Sequence, residues 1–210
     1  MDDKITAVLA AYDVLIAEQQ RDRGDRLTGG RHLDQNPTLR DPLLRAVGPE
    51  TGQFLNILAR SLEAPHILEL GTSYGYSGIW LAEAARATGG RVTTMELHDY
   101  KSAFAHDMAI QADLAGHIDF KVGDAVAMIG DLTTGIDFVL VDLWKDLYVP
   151  CLEAFYPKLN PGAIVVADNM IRPANDEVKR YAEAVRALPG MTSVMLPVGS
   201  GIEVSRYDPV

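Results

Sequence analysis

"PHILELGTSYGYSGIW", residues 65–80, changes from a strand pattern to a turn and then to a helix pattern. The apolar run 66–70 is typical of a buried strand, and a helical pattern begins at 77. Glycines at 71, 75 and 78 accept positive φ and let a backbone or ligand come close, and the next helix offers free N–H groups at its N-terminus. The stretch therefore predicts a strand, a turn suited to an anionic ligand, and a helix.

The same alternation continues toward the C-terminus. Strand-like apolar runs lie at 91–96, 118–123, 136–142 and 163–168. Helical patterns lie at 77–88, roughly 99–115, 124–130, 147–157 and near 175–188. The final runs, 192–198 and 201–207, are joined so closely that they must form an antiparallel hairpin. The predicted class is α/β: a Rossmann-like, doubly wound, mostly parallel sheet of seven strands, the last antiparallel, with helices on both faces.

Upstream of the sheet, the sequence predicts a helical start followed by a polar segment. Residues 1–20 carry apolar residues at helical spacing, namely Ile5, Val8, Leu9, Tyr12, Leu15 and Ile16. Residues 20–42 contain Gly-Gly and Asn-Pro and are predicted to be a loop, and a helix begins near Pro49. We expect one domain over 1–210, with 1–46 as its N-terminal helix and polar cap segment.

Composition narrows the class of partner and the compartment. The net charge of −10 disfavours nucleic acid, which needs a basic face. No apolar run approaches the ~20 residues that span a bilayer, and the acidic start does not resemble a signal peptide. The single cysteine, Cys151, excludes an intrachain disulfide and a Cys-rich zinc site. We expect a cytoplasmic protein that binds neither membrane nor nucleic acid.

The glycine turn does not have the spacing of the known dinucleotide fingerprints. Its pattern, Gly71-x-x-x-Gly75-x-x-Gly78, differs from G-x-G-x-x-G, and the GK[ST] of a P-loop is absent. Glu96, at the end of the second strand, is placed to accept both hydroxyls of an adenosine ribose. Glu69 alternates into the first strand, where an acid needs an explanation. These residues predict a nucleoside-bearing ligand, and the glycine spacing disfavours NAD.

Here the chain resembles a known family, the class I S-adenosylmethionine-dependent O-methyltransferases of the catechol and caffeoyl-CoA type. The resemblance runs from Val47 to the C-terminus. It rests on "VGPETGQ" (47–53), "ELGTSYGYS" (69–77), "TTMEL" (93–97), "VGDA" (122–125), "VDLWKDLY" (141–148) and "VVADN" (165–169). The resemblance implies S-adenosylmethionine as cofactor, a catechol or vicinal-diol small molecule as substrate, and a homodimer.

The resemblance also implies a set of donor-binding residues. Gly71 and Ser73 would line the methionine part, Ser77 would bind its carboxylate, and Glu96 would hold the ribose. The remaining expected donor-site residues are Val47, Glu69, Leu97, Asp124, Ala125, Asp142 and Trp144.

Two strand ends carry hard oxygen ligands. Asp142, Asp168 and Asn169 supply two carboxylates and an amide, a set that suits Mg²⁺, with Mn²⁺ or Ca²⁺ as alternatives. A phenol has a pKa of about 10, so its anion is scarce at neutral pH. A metal bound to two adjacent oxygens would stabilise that anion. Lys145 is the predicted general base, which requires a lowered pKa.

Some residues depart from the family pattern, and other functions stay open. Leu143 replaces a histidine of the mammalian catechol enzymes, Ser200 stands where bacterial relatives often have aspartate, and Glu203 is out of register with their catechol-binding acid. The alternatives are a metal-independent methyltransferase acting on protein or RNA, an inactive donor-binding module, and a nicotinamide oxidoreductase.

Overall fold

The computed structural model describes residues 2–25, 41, 43–172 and 174–209. A seven-stranded sheet runs in the order β3-β2-β1-β4-β5-β7-β6. Its strands are β1 (His66–Leu70), β2 (Arg91–Glu96), β3 (Ile118–Val122), β4 (Ile136–Val141), β5 (Leu159–Ala167), β6 (Met191–Leu196) and β7 (Ile202–Tyr207). The strands β1 to β5 pair in parallel, and β7 is antiparallel to both β5 and β6. The predicted Rossmann-like class, including its hairpin, is confirmed.

Seven α-helices are described around the sheet. They are α1 (Asp3–Asp25), α2 (Pro49–Arg60), α3 (Tyr76–Thr88), α4 (Asp99–Gln111), α5 (Ala125–Gly130), α6 (Tyr148–Phe155) and α7 (Asp176–Ala187). Within the described ranges, no helix is both long and apolar enough to cross a membrane.

Helix α1 is longer than its sequence pattern predicts. The predicted loop 20–42 begins inside the helix, which continues to Asp25. Its apolar stripe ends at Ile16, so the last turns carry no burial signal, and polar good helix formers such as Gln and Arg extend it. The rest of the predicted loop, 26–40 and residue 42, lies outside the described residues.

The two faces of the sheet bury separate hydrophobic clusters. One cluster joins the sheet to α1 through α4 and includes Tyr12, Leu55 and Trp80. The other joins it to α5, α6 and α7 and includes Tyr148, Phe155 and Tyr181. Because both faces are covered, the central strands are buried along almost their whole length.

Strand β5 starts earlier than its apolar run. It begins at Leu159, although Pro161 and Gly162 precede the predicted start at 163. The pairing with β4 shifts between Ile136 and Phe138, and this irregularity accommodates the extra residues. A proline is tolerated at such a bulge because no ladder hydrogen bond is required of it.

The carboxyl ends of β1, β4 and β5 are tied together by backbone hydrogen bonds. Asp142 N donates to Leu70 O at 2.9 Å, and Asp168 N donates to Val141 O at 3.0 Å. Strand β1 lies between β2 and β4, so the chain reverses its direction of winding at this edge. Ligands of open α/β sheets bind at such a reversal, which makes this edge the place to search for a site.

Candidate active site

The turn after β1 brings the ends of β1 and β4 into direct contact. Gly71 has φ 98°, and a Cβ added there would collide with the carbonyl oxygen of Asp142. A Cβ at Gly78 would lie 3.3 Å from Glu69 Oε2. The glycines therefore allow two neighbouring backbones, and one buried carboxylate, to approach the turn closely.

A cavity of about 490 Å³ lies at this edge of the sheet. It is lined by most of the residues predicted from the sequence: Gly71, Ser73, Glu96, Leu97, Asp124, Ala125, Asp142, Trp144, Lys145 and Asn169. The other predicted residues, Val47, Glu69, Ser77 and Asp168, are buried and do not belong to that lining. This edge of the sheet therefore brings the predicted site residues together: most line the cavity, and the other four are buried behind its wall.

Glu96 is held firmly at the end of β2. Its Oε2 accepts a hydrogen bond from Ser73 N at 2.8 Å, and its Oε1 accepts one from His98 N at 3.1 Å. Asp124 is the N-cap of α5, with Oδ1 accepting from Ala127 N at 2.8 Å. Both carboxylates are oriented by backbone groups, so their positions at the cavity are fixed before any ligand binds.

Glu69 is a fully buried carboxylate behind the glycine turn. Its Oε2 accepts a hydrogen bond from Thr94 Oγ1 at 2.5 Å, whereas its Oε1 has no partner among the described residues. Burial raises the pKa of Glu69 to about 7, and the negative charges of Asp142 and Glu96 add to this shift.

Lys145 lies between the ends of β4 and β5. Its Nζ donates to Asn169 Oδ1 at 2.7 Å and to the hydroxyl of Tyr148, and it lies 3.8 Å from Asp142 Oδ1. Asn169 Nδ2 donates to Asp168 Oδ2 at 3.1 Å. Two of the three residues predicted to hold a cation, Asp142 and Asn169, therefore lie beside the Lys145 ammonium group, and the third, Asp168, is hydrogen-bonded to Asn169.

The charges of this cluster perturb one another strongly. Burial raises the pKa of Asp168 to about 7, and the negative charge of Asp142 raises it further. Burial also raises the pKa of Asp142, although Lys145 opposes this. Burial lowers the pKa of Lys145, against the effect of both carboxylates. Perturbed groups in a cleft are typical of functional sites.

The donor set fits a divalent cation. Asp168 Oδ1 is buried and has no hydrogen-bond partner in the described part of the chain, and a buried charged oxygen without a partner is costly. Asp142, Asp168 and Asn169 offer only oxygen, which hard cations prefer. Across the described residues, no group of three or more His, Cys, Asp or Glu side chains is arranged to hold a metal.

Tyr148 contributes to the site, although the sequence analysis assigned it no role. Its ring does pack against Tyr181, with centroids 5.4 Å apart. Its hydroxyl, in addition, accepts from Lys145 Nζ and donates to Asp168 O at 3.0 Å. The position three residues after Lys145 places both side chains on one face of a helical turn, which is the signal that could have revealed the pair.

Arg45 and Lys101 also line the cavity without having been predicted. Both contact Asp41, a buried carboxylate: its Oδ2 lies 3.0 Å from Arg45 Nε and 3.0 Å from Lys101 Nζ. No short motif connects these three positions in the sequence, so the cluster is visible only once the chain is folded.

The acid near the C-terminus, Glu203, does not reach the cavity. Its side chain is fully buried and accepts hydrogen bonds from Arg186 at 2.8 and 2.9 Å and from Ser193 Oγ at 2.6 Å. Leu143, which stands where the mammalian enzymes have histidine, lines the cavity.

The sheet order and the glycine turn define the class I methyltransferase fold. Residues 35–207 match the family described as O-methyltransferase. The chain belongs to this family and is an S-adenosylmethionine-dependent O-methyltransferase.

Individual relatives agree with this assignment. The catechol O-methyltransferase of Niastella koreensis is 34% identical over 178 residues, covering 78% of this chain and 79% of that protein. Caffeoyl-CoA O-methyltransferase 2 of Eucalyptus globulus is 26% identical over 186 residues, covering 78% and 75%. The crystal structure of the O-methyltransferase TomG from Streptomyces achromogenes, in complex with SAM, has a TM-score of 0.74 and 26% identity, covering 99% of this chain and 91% of that one.

Proposed function

We propose that this enzyme methylates a hydroxyl of a catechol-like or vicinal-diol small molecule held on a divalent cation. One observation carries the proposal: Lys145 Nζ lies within 2.7 Å of Asn169 Oδ1 and 3.8 Å of Asp142 Oδ1, in the cavity that contains the glycine turn. The predicted proton acceptor, two of the three predicted oxygen ligands and the expected donor-binding turn thus line one cavity.

On the donor side, the turn and Glu96 are the residues that we expect to bind S-adenosylmethionine. Gly71 and Ser73 would contact its methionine part, and Glu96 would accept the ribose hydroxyls. Leu97 and Trp144 are 55% and 41% exposed at the cavity, which suits side chains that cover an adenine ring. The relative TomG, which was crystallised with SAM, supports this role for the fold.

On the acceptor side, Asp142, Asp168 and Asn169 would hold the cation. A divalent cation there, Mg²⁺ above all, would lower the pKa of a bound hydroxyl and fix its direction. Asn169 has φ 55°, an uncommon backbone state that its short polar side chain tolerates. The hydrogen bonds to Lys145 and Asp168 fix the orientation of its amide before any ligand arrives.

Lys145 would accept the proton of the hydroxyl that becomes methylated. Burial lowers the pKa of its ammonium group, so a neutral amine is more accessible than in water. As the proton leaves, the substrate oxygen attacks the methyl carbon and the bond from that carbon to sulfur breaks. The chain contributes mainly by holding both partners in line.

The relatives support the type of acceptor. Those named catechol O-methyltransferase and caffeoyl-CoA O-methyltransferase have names that refer to molecules with adjacent ring oxygens. A homodimer and a cytoplasmic location remain predictions from the sequence.

A methyl-transfer assay tests the proposal. With catechol compounds and Mg²⁺ we expect turnover that a chelator abolishes and added Mg²⁺ restores. Lys145→Ala should lower kcat by about 10²- to 10⁴-fold, the usual contribution of a general base, while donor affinity measured by calorimetry stays unchanged. Lys179→Ala, at a lysine whose side chain is 68% exposed, is the matched control and should behave like the wild type.

The alternatives predict different results. Turnover of protein or RNA that persists with chelator would favour a metal-independent methyltransferase. Donor binding without turnover of any diol would favour an inactive donor-binding module.

A further inference from the structure

Tyr12 of helix α1 contacts the glycine turn from outside the cavity. Its side chain is fully buried, and its hydroxyl donates a hydrogen bond to Tyr74 O at 2.6 Å. It is not one of the residues that line the cavity. A buried hydroxyl of the N-terminal helix is therefore bonded to the backbone of the turn that we expect to bind the donor.

The backbone of this turn adopts an uncommon conformation. Gly71, Ser73 and Gly75 have φ 98°, 46° and 92°, so three of the five residues 71–75 have positive φ. Glycine adopts such angles readily, whereas Ser73 keeps them only where its surroundings impose them. The shape of the turn thus depends on contacts with neighbouring elements.

Three elements supply these contacts. At the end of β2, Glu96 Oε2 accepts a hydrogen bond from Ser73 N at 2.8 Å. The segment before α2 contributes Leu44 O, which accepts from Ser73 Oγ at 2.9 Å, and α1 contributes the bond from Tyr12 to Tyr74 O. Glu96 is also expected to bind the donor ribose, whereas Tyr12 does not line the cavity. The Tyr12 bond can therefore hold the turn equally before and after the donor binds.

The hydroxyl of Tyr12 is held in place by the packing of its ring. The ring meets Tyr76 of α3 edge-on with centroids 5.6 Å apart, and Phe104 of α4 with centroids 6.4 Å apart. A Cβ added at Gly75 would lie 3.2 Å from the Tyr12 hydroxyl oxygen. Two helices thus fix the ring, and the hydroxyl lies directly against the turn.

We propose that Tyr12 is a positioning residue for S-adenosylmethionine, holding the turn 71–75 in the conformation that binds the methionine part of the donor. The inference rests on the donor-binding role proposed for this turn. When only a fraction of the molecules has the binding-competent conformation, the apparent affinity falls by that fraction. Without the Tyr12 hydroxyl the turn has one restraint fewer, so a smaller fraction is competent.

This role lies in a part of the chain to which no donor-site residue was assigned. The resemblance seen in the sequence begins at Val47, and the match to the O-methyltransferase family covers residues 35–207. Helix α1 precedes both. It belongs to the donor site through Tyr12, although it contributes no residue to the cavity lining.

Calorimetric titration with S-adenosylmethionine and with S-adenosylhomocysteine tests the inference. Tyr12→Phe keeps the ring and removes the hydroxyl. We expect the Kd for both ligands to rise by about threefold to tenfold, the equivalent of one neutral hydrogen bond. With an acceptor present, the KM for the donor should rise by the same factor, while kcat at saturating donor keeps its wild-type value.

A merely structural role predicts a different pattern. Tyr12 belongs to the hydrophobic cluster that joins α1 through α4 to the sheet, so loss of its hydroxyl lowers the free energy of unfolding in either case. If stability were its only role, the folded variant would bind the donor with the wild-type Kd. Urea unfolding of each variant establishes that it is folded under the conditions of the titration.

Tyr156→Phe is the matched control. The Tyr156 hydroxyl also donates to a backbone carbonyl, Pro189 O at 2.8 Å, and its ring also meets another ring, that of Tyr207, edge-on at 5.5 Å. Tyr156 does not line the cavity and is not bonded to the turn. Its Phe variant should bind the donor with the wild-type Kd.

Three results would overturn the inference. Tyr12→Phe binds both ligands as the wild type does; Tyr156→Phe weakens donor binding as much as Tyr12→Phe; or Tyr12→Phe lowers kcat at saturating donor without raising the KM for the donor.

Glu96→Gln separates this inference from the proposed function. If Glu96→Gln weakens donor binding and Tyr12→Phe does not, the proposed donor site stands and the inference is wrong. If Glu96→Gln binds the donor like the wild type, the proposed donor site is wrong, and the inference falls with it. Absence of turnover with every diol would remove the proposed acceptor only, because the titration contains the donor alone.

Discussion

Tyr148 has a hydroxyl that joins the proposed base to the backbone of a proposed metal ligand. Tyr148→Phe should lower kcat by about tenfold, since Lys145 loses one of its hydrogen-bond partners. The KM for the donor should not change. Steady-state kinetics with a catechol acceptor measures both constants.

Tyr181→Phe is the matched control for that variant. Tyr181 is equally buried, its ring contacts Tyr148, and its hydroxyl has no partner among the described residues. Loss of this hydroxyl should leave kcat unchanged. A comparable fall in kcat for both variants would mean that the packing of the two rings matters and the hydrogen bond does not.

At the level of residues, the sequence was most informative where a side chain follows a strand directly. Asp142, Asp168 and Asn169 could be placed near one another because parallel strands end at a common edge. Arg45 and Tyr148 could not be placed by that rule. Arg45 owes its position to residues 41 and 43–47, which we call the strap and which are hydrogen-bonded to Gln19, Ser73 and Tyr74. One partner of the Tyr148 hydroxyl, the carbonyl oxygen of Asp168, comes from another strand end.

At the level of elements, the turn between β1 and α3 tests how closely two strand ends must meet. Gly71→Ala should destabilise the protein by at least about 3 kcal/mol, because the new methyl group meets the Asp142 carbonyl, a backbone group that has little freedom to move. Gly89, at the end of α3, has φ 77° and open space around it. Gly89→Ala should therefore lower the free energy of unfolding by only about 1 kcal/mol. Urea unfolding of both variants gives the comparison.

Equal losses for the two glycine variants would contradict the role given to close approach. The difference between them isolates the collision, since both substitutions place an alanine at positive φ.

The boundaries of elements were predicted less well than their existence. Strand β5 and helix α1 both extend beyond their apolar patterns. In β5 a pairing irregularity accommodates Pro161. In α1 the sequence after Ala17 has no apolar residue from which a pattern could predict a helix. Both extensions depend on the packing and pairing of neighbouring elements, and a local sequence pattern carries no information about these.

At the scale of the whole molecule, Glu69 should make stability depend on pH. Its pKa is raised from 4.5 to about 7, so the folded state holds a proton that the unfolded state releases. The stabilisation is complete below pH 4.5, falls as the pH rises toward 7 and is constant above, with a loss of about 3 kcal/mol. The charges facing Glu69 are Asp142 and Glu96, and the hydroxyl groups of Ser77 and Thr94 donate hydrogen bonds to it.

Glu69→Gln should remove the part of this slope that belongs to Glu69 and leave the part from Asp168, whose pKa burial also raises to about 7. Unfolding free energies from urea titrations between pH 5 and 8 would measure the slope. Glu63→Gln, at an exposed glutamate, is the control and should retain the wild-type slope. A variant that loses stability with pH as steeply as the wild type would refute the assignment of the slope to Glu69.

The strap has a consequence for how this enzyme diverges from its relatives. It is bonded to the glycine turn through Ser73 and Tyr74, and it also presents Arg45 beside Trp144. An insertion or deletion within it would displace both halves of the cavity at once. Exchange of its outward side chains leaves those bonds in place. New acceptor preferences should therefore arise in this lineage by substitution within a strap of constant length.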